Sequence, residues 1–227
     1  AVESWDVSET KDRGVMAYVV QNSEDNTKYD LYIGANGGVI ANEDSSYLFY
    51  YFANLENINF NESFNTCNTT NMSHMFADSR ELITLDLTTL DTRNVTNMAG
   101  MFMSSATANP MKLETIILGS NFNTINVTTM AAMFGNCTSL KNLDVSHFNT
   151  SNVTNMSEMF ASCYSLPFLD LSNWDTSKVT TMHGMFYHCR SLTELNLCTF
   201  DTNQVTSMSL MFTGTSDLSN IYVGPNW

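Results

Sequence analysis

The 227 residues carry nine Lys and Arg against 23 Asp and Glu, a formal net charge of −14, and are 43% hydrophobic but only 14% charged. An acidic surface repels nucleic-acid phosphates and anionic membranes, which sets DNA, RNA and membrane-surface binding aside. No apolar run approaches the roughly 18 residues of a membrane-spanning helix, and five cysteines without CxxC or CxxH spacing point to neither a zinc site nor a dense disulfide framework.

The chain opens on AVESWDVSET, which has neither a basic n-region nor an apolar h-region. Residues 15–20 and 29–33 then read as strands, and the polar NSEDNTK between them makes an antiparallel hairpin the expected arrangement. The run YLFYYF (47–52) stands where later repeats carry a different apolar motif. Residues 1–54 are therefore expected to form an N-terminal capping segment, since stacked repeats need their first apolar face covered.

From residue 55 onward the chain repeats itself. LKNLDVSHFNTSNVTNMSEMFASCYS (140–165) is followed by LPFLDLSNWDTSKVTTMHGMFYHCRS (166–191) and LTELNLCTFDTNQVTSMSLMFTGTSD (192–217). The leading leucines Leu140, Leu166, Leu192 and Leu218 recur every 26 residues. Earlier units are longer, one of them through the insertion MSSATANP, so residues 55–227 hold six repeats of 26–31 residues and part of a seventh. Leu-x-Leu alternates like a half-buried strand. Met-x-x-Met-Phe has the i, i+3, i+4 spacing of the apolar face of a short helix. The Asp/Asn-Thr pairs between them suit Asx turns, and Thr154, Thr180 and Thr206 suit helix N-caps. The expected fold is α/β, a right-handed leucine-rich-repeat-like solenoid with one short strand and one short helix per coil, preceded by the β-hairpin cap.

Twelve of the 15 methionines fall in the Met-x-x-Met-Phe motif. Thioethers bind soft metals, but a metal site is local and a residue pair repeated in every unit is a ladder. The methionines are expected in the core, with Leu143, Val145, Leu169, Leu171, Leu195, Leu197 and Trp174. Cys137, Cys163 and Cys189 share a position held elsewhere by Ser79, Ser105 and Thr215, so small size is the expected requirement there, with free thiols. The histidines fall at scattered repeat positions, and no nucleophile–base pair emerges.

The unit LDLSNWDTSKVTTMHGMF resembles the 26-residue repeat of BspA-like leucine-rich-repeat bacterial surface proteins. The resemblance covers residues 55–227, and the leading segment VMAYVVQ…KYDLYIGANGGVIANEDSSYLFYYFANL is similar to what precedes such repeats. It implies a secreted or cell-surface solenoid linked to adhesion, with no catalytic residues, no metal and no cofactor. No secretion signal, LPxTG-type anchor or lipobox is visible.

The outward strand positions are the candidate binding residues. Asp86, Asp144 and Asp170 lie between strand leucines, with Asn196 at the same position, and read either as solvated carboxylates deterring edge pairing or as an acidic ladder relieved by a cation. Phe168 takes an outward slot that other repeats fill with Asn142, Thr115 or Glu194, and Tyr222 takes the slot of Asp144 and Asp170. Large aromatic groups on a polar face mark a contact surface. The expected function is a non-catalytic extracellular binding or adhesion module contacting a host or matrix protein or glycan, with no nucleic acid and no membrane insertion. The alternative is a stalk or spacer presenting another domain. A mineral- or ice-binding reading rests on the threonines Thr92, Thr124, Thr150, Thr176 and Thr202.

Overall fold

The computed structural model describes residues 3–6, 16–23, 29–35, 37–60, 64–105 and 109–227. Strands β1 (Glu3–Asp6), β2 (Met16–Gln21) and β3 (Tyr29–Gly34) form an antiparallel sheet in that order. The β2–β3 pair occupies the segments expected for the hairpin, running from Met16 opposite Gly34 to Gln21 opposite Tyr29. Val15, residues 24–28 of its turn and residues 106–108 of the MSSATANP insertion lie outside the described residues. β1 is an addition that sequence reading left out.

The remaining strands pair in parallel twos: β4 (Val39–Ile40) with β5 (Phe64–Asn65), β6 (Thr84–Leu87) with β7 (Thr115–Leu118), and β8 (Glu194–Leu197) with β9 (Asn220–Val223). Single parallel bridges join the repeats elsewhere, in one series from Asp44 through Asn71, Asn97, Thr129, Asn155 and Thr181 to Ser207.

No helix occurs among the described residues. The class is nearly all β, and the expected right-handed leucine-rich-repeat-like solenoid with a strand and a helix in every coil is overturned on both counts. Residues 166–171 form no strand, and Pro167 has no N–H to give a ladder. The Met-x-x-Met-Phe segment is a run of tight turns. His74 (φ 55°) and Asp78 (φ 56°) are left-handed, and the pattern recurs at Ala132 and Asn136 and at Glu158 and Ser162. A left-handed residue every fourth position interrupts any α-helix.

The backbone hydrogen bonds show what replaces the helix. The N–H groups of Met72, His74 and Phe76 donate to the carbonyls of Asn97, Ala99 and Met101 in the next repeat, each at 2.9 Å. The alternate N–H groups of Met75, Ala77 and Ser79 donate locally to the carbonyls of Met72, His74 and Phe76 at 3.2, 3.1 and 3.4 Å. A helix would send all of them four residues back along the chain. Half of them instead tie neighbouring repeats together.

The expected core sits inside except for Leu143, which is half-buried against it. Eleven of the twelve motif methionines are buried, and Met208, in the last repeat, is the exception at 39% exposed. The motif phenylalanines form a stack, Phe49–Phe76–Phe102–Phe134–Phe160–Phe186–Phe212, with centroids 5.4–5.9 Å apart and planes within 10°. The register of YLFYYF as a zeroth repeat is visible here, because its Phe49 caps the stack. Trp174 is buried and its indole N–H donates to the Val145 carbonyl at 3.1 Å.

Two rows of threonine lock the repeats. Buried Thr92, Thr124, Thr150 and Thr176 each donate to a carbonyl of the following repeat, and the same hydroxyl accepts that residue's N–H; for Thr150 the partner is Asp175, at 2.8 and 2.9 Å. Thr154, Thr180 and Thr206 cap no helix. Their hydroxyls donate at 3.0–3.1 Å to Thr128, Thr154 and Thr180 of the preceding repeat.

Candidate binding face

Alternation along the strands fixes which side chains face out. In β6 and β8 the leucines are buried while Thr84, Asp86, Glu194 and Asn196 are exposed. Parallel pairing then aligns the outward positions, Thr84 with Thr115, Asp86 with Ile117, Glu194 with Asn220 and Asn196 with Tyr222. Asn142 bridges to Thr115, and its amide donates to the threonine hydroxyl at 3.2 Å. Thr115 is thus in register with two neighbours, Thr84 and Asn142, and Glu194 with one, Asn220.

Phe168 is outward, as its slot requires, and is 57% exposed. It lies in the strandless repeat between Asn142 and Glu194, one residue after Pro167. Tyr222 is 51% exposed on β9. Ile117 is a further apolar group on this side at 41% exposed, and Ile83, the residue before β6, is 54% exposed. Sequence reading passed over them, although Ile117 holds the very slot of Asp86 and is legible by counting from Leu113.

The acidic positions do a job that neither sequence reading named. Asp86, Asp144, Asp170 and Asn196 each accept the backbone N–H two residues on, from Thr88, Ser146, Ser172 and Cys198, at 2.9–3.1 Å. They close Asx turns. The Ser146 and Ser172 hydroxyls add a second bond at 2.6 Å. Those hydroxyl bonds, then the backbone N–H bonds, hold the carboxyls of Asp144 and Asp170 below the ordinary carboxylate value. Asp144 pushes Asp170 the other way, as the smallest influence on it. Among the described residues no group of three or more His, Cys, Asp and Glu is arranged to hold a metal ion. Ion pairs cross neighbouring repeats at Lys112–Glu81 (2.6 Å) and Lys141–Glu114 (2.8 Å). Exposed pairs of this kind contribute about 0–1 kcal/mol.

The cysteine row is inert. Cys137, Cys163 and Cys189 are buried and free, and their thiols donate to the carbonyls of Phe102, Phe134 and Phe160 at 3.0–3.2 Å. Burial pushes the Cys137 and Cys189 thiols up to about 12, far from nucleophilic thiolates. Ser79 makes the same bond to the Phe49 carbonyl. The position therefore selects a small hydrogen-bond donor, and size is only part of it. The threonines behind the mineral-binding reading are turned inward: Thr92, Thr124, Thr150 and Thr176 are at most 1% exposed. The asparagines of the N-x-T sequons Asn94, Asn126 and Asn152 use their amides on backbone carbonyls of the preceding repeat at 2.7–2.8 Å.

The family described as "Mycoplasma protein of unknown function, DUF285" matches residues 43–114 and 103–224. The chain belongs to this family. The match supports a bacterial surface repeat protein and does not single out the BspA-like leucine-rich-repeat group. No curated protein and no solved structure matches the chain.

Proposed function

We propose that the protein is a non-catalytic, extracellular binding module of a bacterial surface, and that it grips a protein or glycan through the outward side of its Leu-x-Leu segments. The observation that carries this reading is Phe168, a large apolar side chain 57% exposed in a slot that other repeats fill with Thr84, Thr115, Asn142 and Glu194. The core places no demand on that slot, so an aromatic there costs solubility without a packing gain. Aromatic anchors lose little conformational entropy on contact, and they dominate interface energies. Tyr222 and Ile117 spread similar groups along the same side, between acidic turn residues that keep it polar.

A stalk or spacer is the second reading, favoured by the uniformity of the segments leading into the turns, where the Thr96, Thr128, Thr154, Thr180 and Thr206 hydroxyls repeat one bond from unit to unit. Capture from extracellular-matrix and serum proteins, and from a glycan array, separates the two. A binder retains a partner, and a Phe168→Ser, Tyr222→Ser double variant releases it while its melting temperature stays put. Equal retention by the double variant moves the contact elsewhere, and no retention at all favours the spacer.

A further inference from the structure

Basic side chains are scarce in a chain of net charge −14, and most of those among the described residues are engaged. Arg93 pairs with Asp91, Lys112 with Glu81 and Lys141 with Glu114, and the Lys178 ammonium donates to the Asn152 side-chain oxygen at 2.7 Å. The remaining two, Arg80 and Arg190, pair with no carboxylate. They share one place in the repeat, two residues before the buried Leu82 and Leu192. Each guanidinium lies instead over a tyrosine of the preceding repeat, Arg80 over Tyr51 at 4.7 Å and Arg190 over Tyr164 at 4.4 Å. An aromatic face attracts a cation, and it leaves the N–H edge of the guanidinium uncovered. That edge is the fork that takes a carboxylate through two parallel hydrogen bonds.

Arg190 is the exposed one of the two, and it lies inside the array with further repeats on both sides. It also sits close to Phe168. Tyr164 and Phe168 stand two residues either side of the buried Leu166, and Arg190 and Glu194 stand in the same way about Leu192 in the next repeat. Two residues span at most about 7 Å and neighbouring repeats lie about 4.8 Å apart, so the Phe168 and Arg190 Cα atoms are within roughly 15 Å of each other. A cation without a counter-charge, an exposed aromatic ring and the exposed Glu194 carboxylate thus share one small surface of an acidic molecule.

Building on the reading of Phe168 as a contact residue, we propose that this surface binds a glycan through a carboxylate-bearing sugar. Arg190 takes the carboxylate as a fork, Phe168 covers the apolar face of a sugar ring, and Glu194 accepts hydroxyl protons. Tyr164 is a positioning residue that holds the guanidinium flat. A polysulfated chain fits poorly, because one free guanidinium stands against a net charge of −14 that repels a polyanion. An acidic peptide fits poorly as well. A protein interface has an apolar core depleted of charge, whereas the slots on either side of Phe168 hold Asn142 and Glu194. A sugar ring, apolar on its face and hydroxylated at its rim, matches an aromatic set among polar neighbours.

An array of neutral, singly carboxylated and polysulfated glycans, probed with the 227-residue chain, tests it. Retention is expected on the carboxylated glycans, and methyl-esterifying the carboxylate is expected to abolish it. Arg190→Gln is expected to weaken that binding at least about tenfold, and Arg190→Lys, which keeps the charge without the fork, to restore only part of it. Tyr164→Leu keeps bulk under the guanidinium and removes the ring, at an expected cost of about threefold. Melting temperatures within about 2 °C of wild type show that the variants differ in binding and not in folding. Retention of neutral or polysulfated glycans alone, retention of no glycan, or full affinity in Arg190→Gln overturns the proposal. The fate of Phe168 is read separately. A protein or neutral glycan released by Phe168→Ser with Tyr222→Ser, yet held by Arg190→Gln, keeps the contact at Phe168 and removes the carboxylate.

Discussion

The two long sides of each repeat obey different rules. The turn side is joined at every step from Asp44 to Ser207, with a hydrogen-bonded threonine in each repeat and a ring of the phenylalanine stack behind it. The Leu-x-Leu side is strand-paired in places and strandless at residues 166–171, and its outward residues differ from repeat to repeat. Where bonds and packing repeat, the sequence must repeat with them. Where they lapse, the chain is free to carry groups such as Phe168 that serve something outside the fold. The comparison is broken if substitutions on the two sides turn out to cost the same.

The largest effect is expected in the ring stack. Phe134 lies 5.4 Å from Phe102 and 5.5 Å from Phe160, fully buried. Phe134→Ala removes both contacts and leaves a cavity, costing about 3–5 kcal/mol, with Met159→Ala close behind at about 2–4 kcal/mol. Chemical denaturation that shows a loss below about 1 kcal/mol for Phe134→Ala would mean that neighbouring rings close the gap and the stack is not what holds the repeats.

Thr150→Val comes next. The substitution keeps shape and deletes a hydroxyl that both donates to and accepts from Asp175. Leaving those backbone groups unmade costs about 1–3 kcal/mol. Thr154→Val is expected to cost less, since its hydroxyl makes one bond, at 3.1 Å, in an exposed position. Equal losses would erase the distinction between the inner and outer threonine rows.

These contrasts also show what could be read from the chain beforehand. Repeat register was legible, because Leu-x-Leu and Met-x-x-Met-Phe return in the same order in every unit, with the leading leucines 26 residues apart from Leu140 onward. The helix was not there to be read. An i, i+3, i+4 apolar pattern also arises when tight turns throw every third or fourth side chain inward, and periodicity alone does not separate the two. The separating signal lay in the intervening residues: Gly100, Gly184 and Gly214 hold left-handed positions, as do Asp78 and Asn136, and a short helix would not place such residues at those points in repeat after repeat. The same blindness hid the Asx turns at Asp144 and Asp170, since an outward carboxylate looks the same whether it serves solvent, a cation or the backbone two residues on.

Acid sharpens the comparison further. The carboxyls of Asp144, Asp170 and Asp175 are held below their ordinary value of 3.8 chiefly by serine hydroxyls, from Ser146, Ser172 and Ser177 in turn. A carboxyl whose folded value is depressed contributes stability that is complete above its unfolded value and disappears as pH falls through the folded one. Stability is therefore expected to be level above about pH 4.5 and to fall below about pH 4. Ser146→Ala with Ser172→Ala is expected to flatten that fall by bringing both carboxyls closer to their unfolded value. A denaturation series from pH 2 to 6 with the same slope in both proteins would show that these turns close as well with protonated aspartates.

The smallest effect is expected at Phe168, and its smallness is the point. The side chain is 57% exposed and belongs to the one strandless Leu-x-Leu segment between Asn142 and β8. Its neighbours along the chain, Leu166 and Leu169, are buried without its help. Phe168→Ser removes apolar surface that is mostly wet already, so stability is expected to change by no more than about 0.5 kcal/mol, in either direction. A calorimetric loss above about 1.5 kcal/mol would show that the ring packs on its own repeat, and the argument that its slot is free for an outside partner would fall with it. A change near zero leaves the aromatic without a structural reason, on the side of the molecule where the repeating bonds lapse.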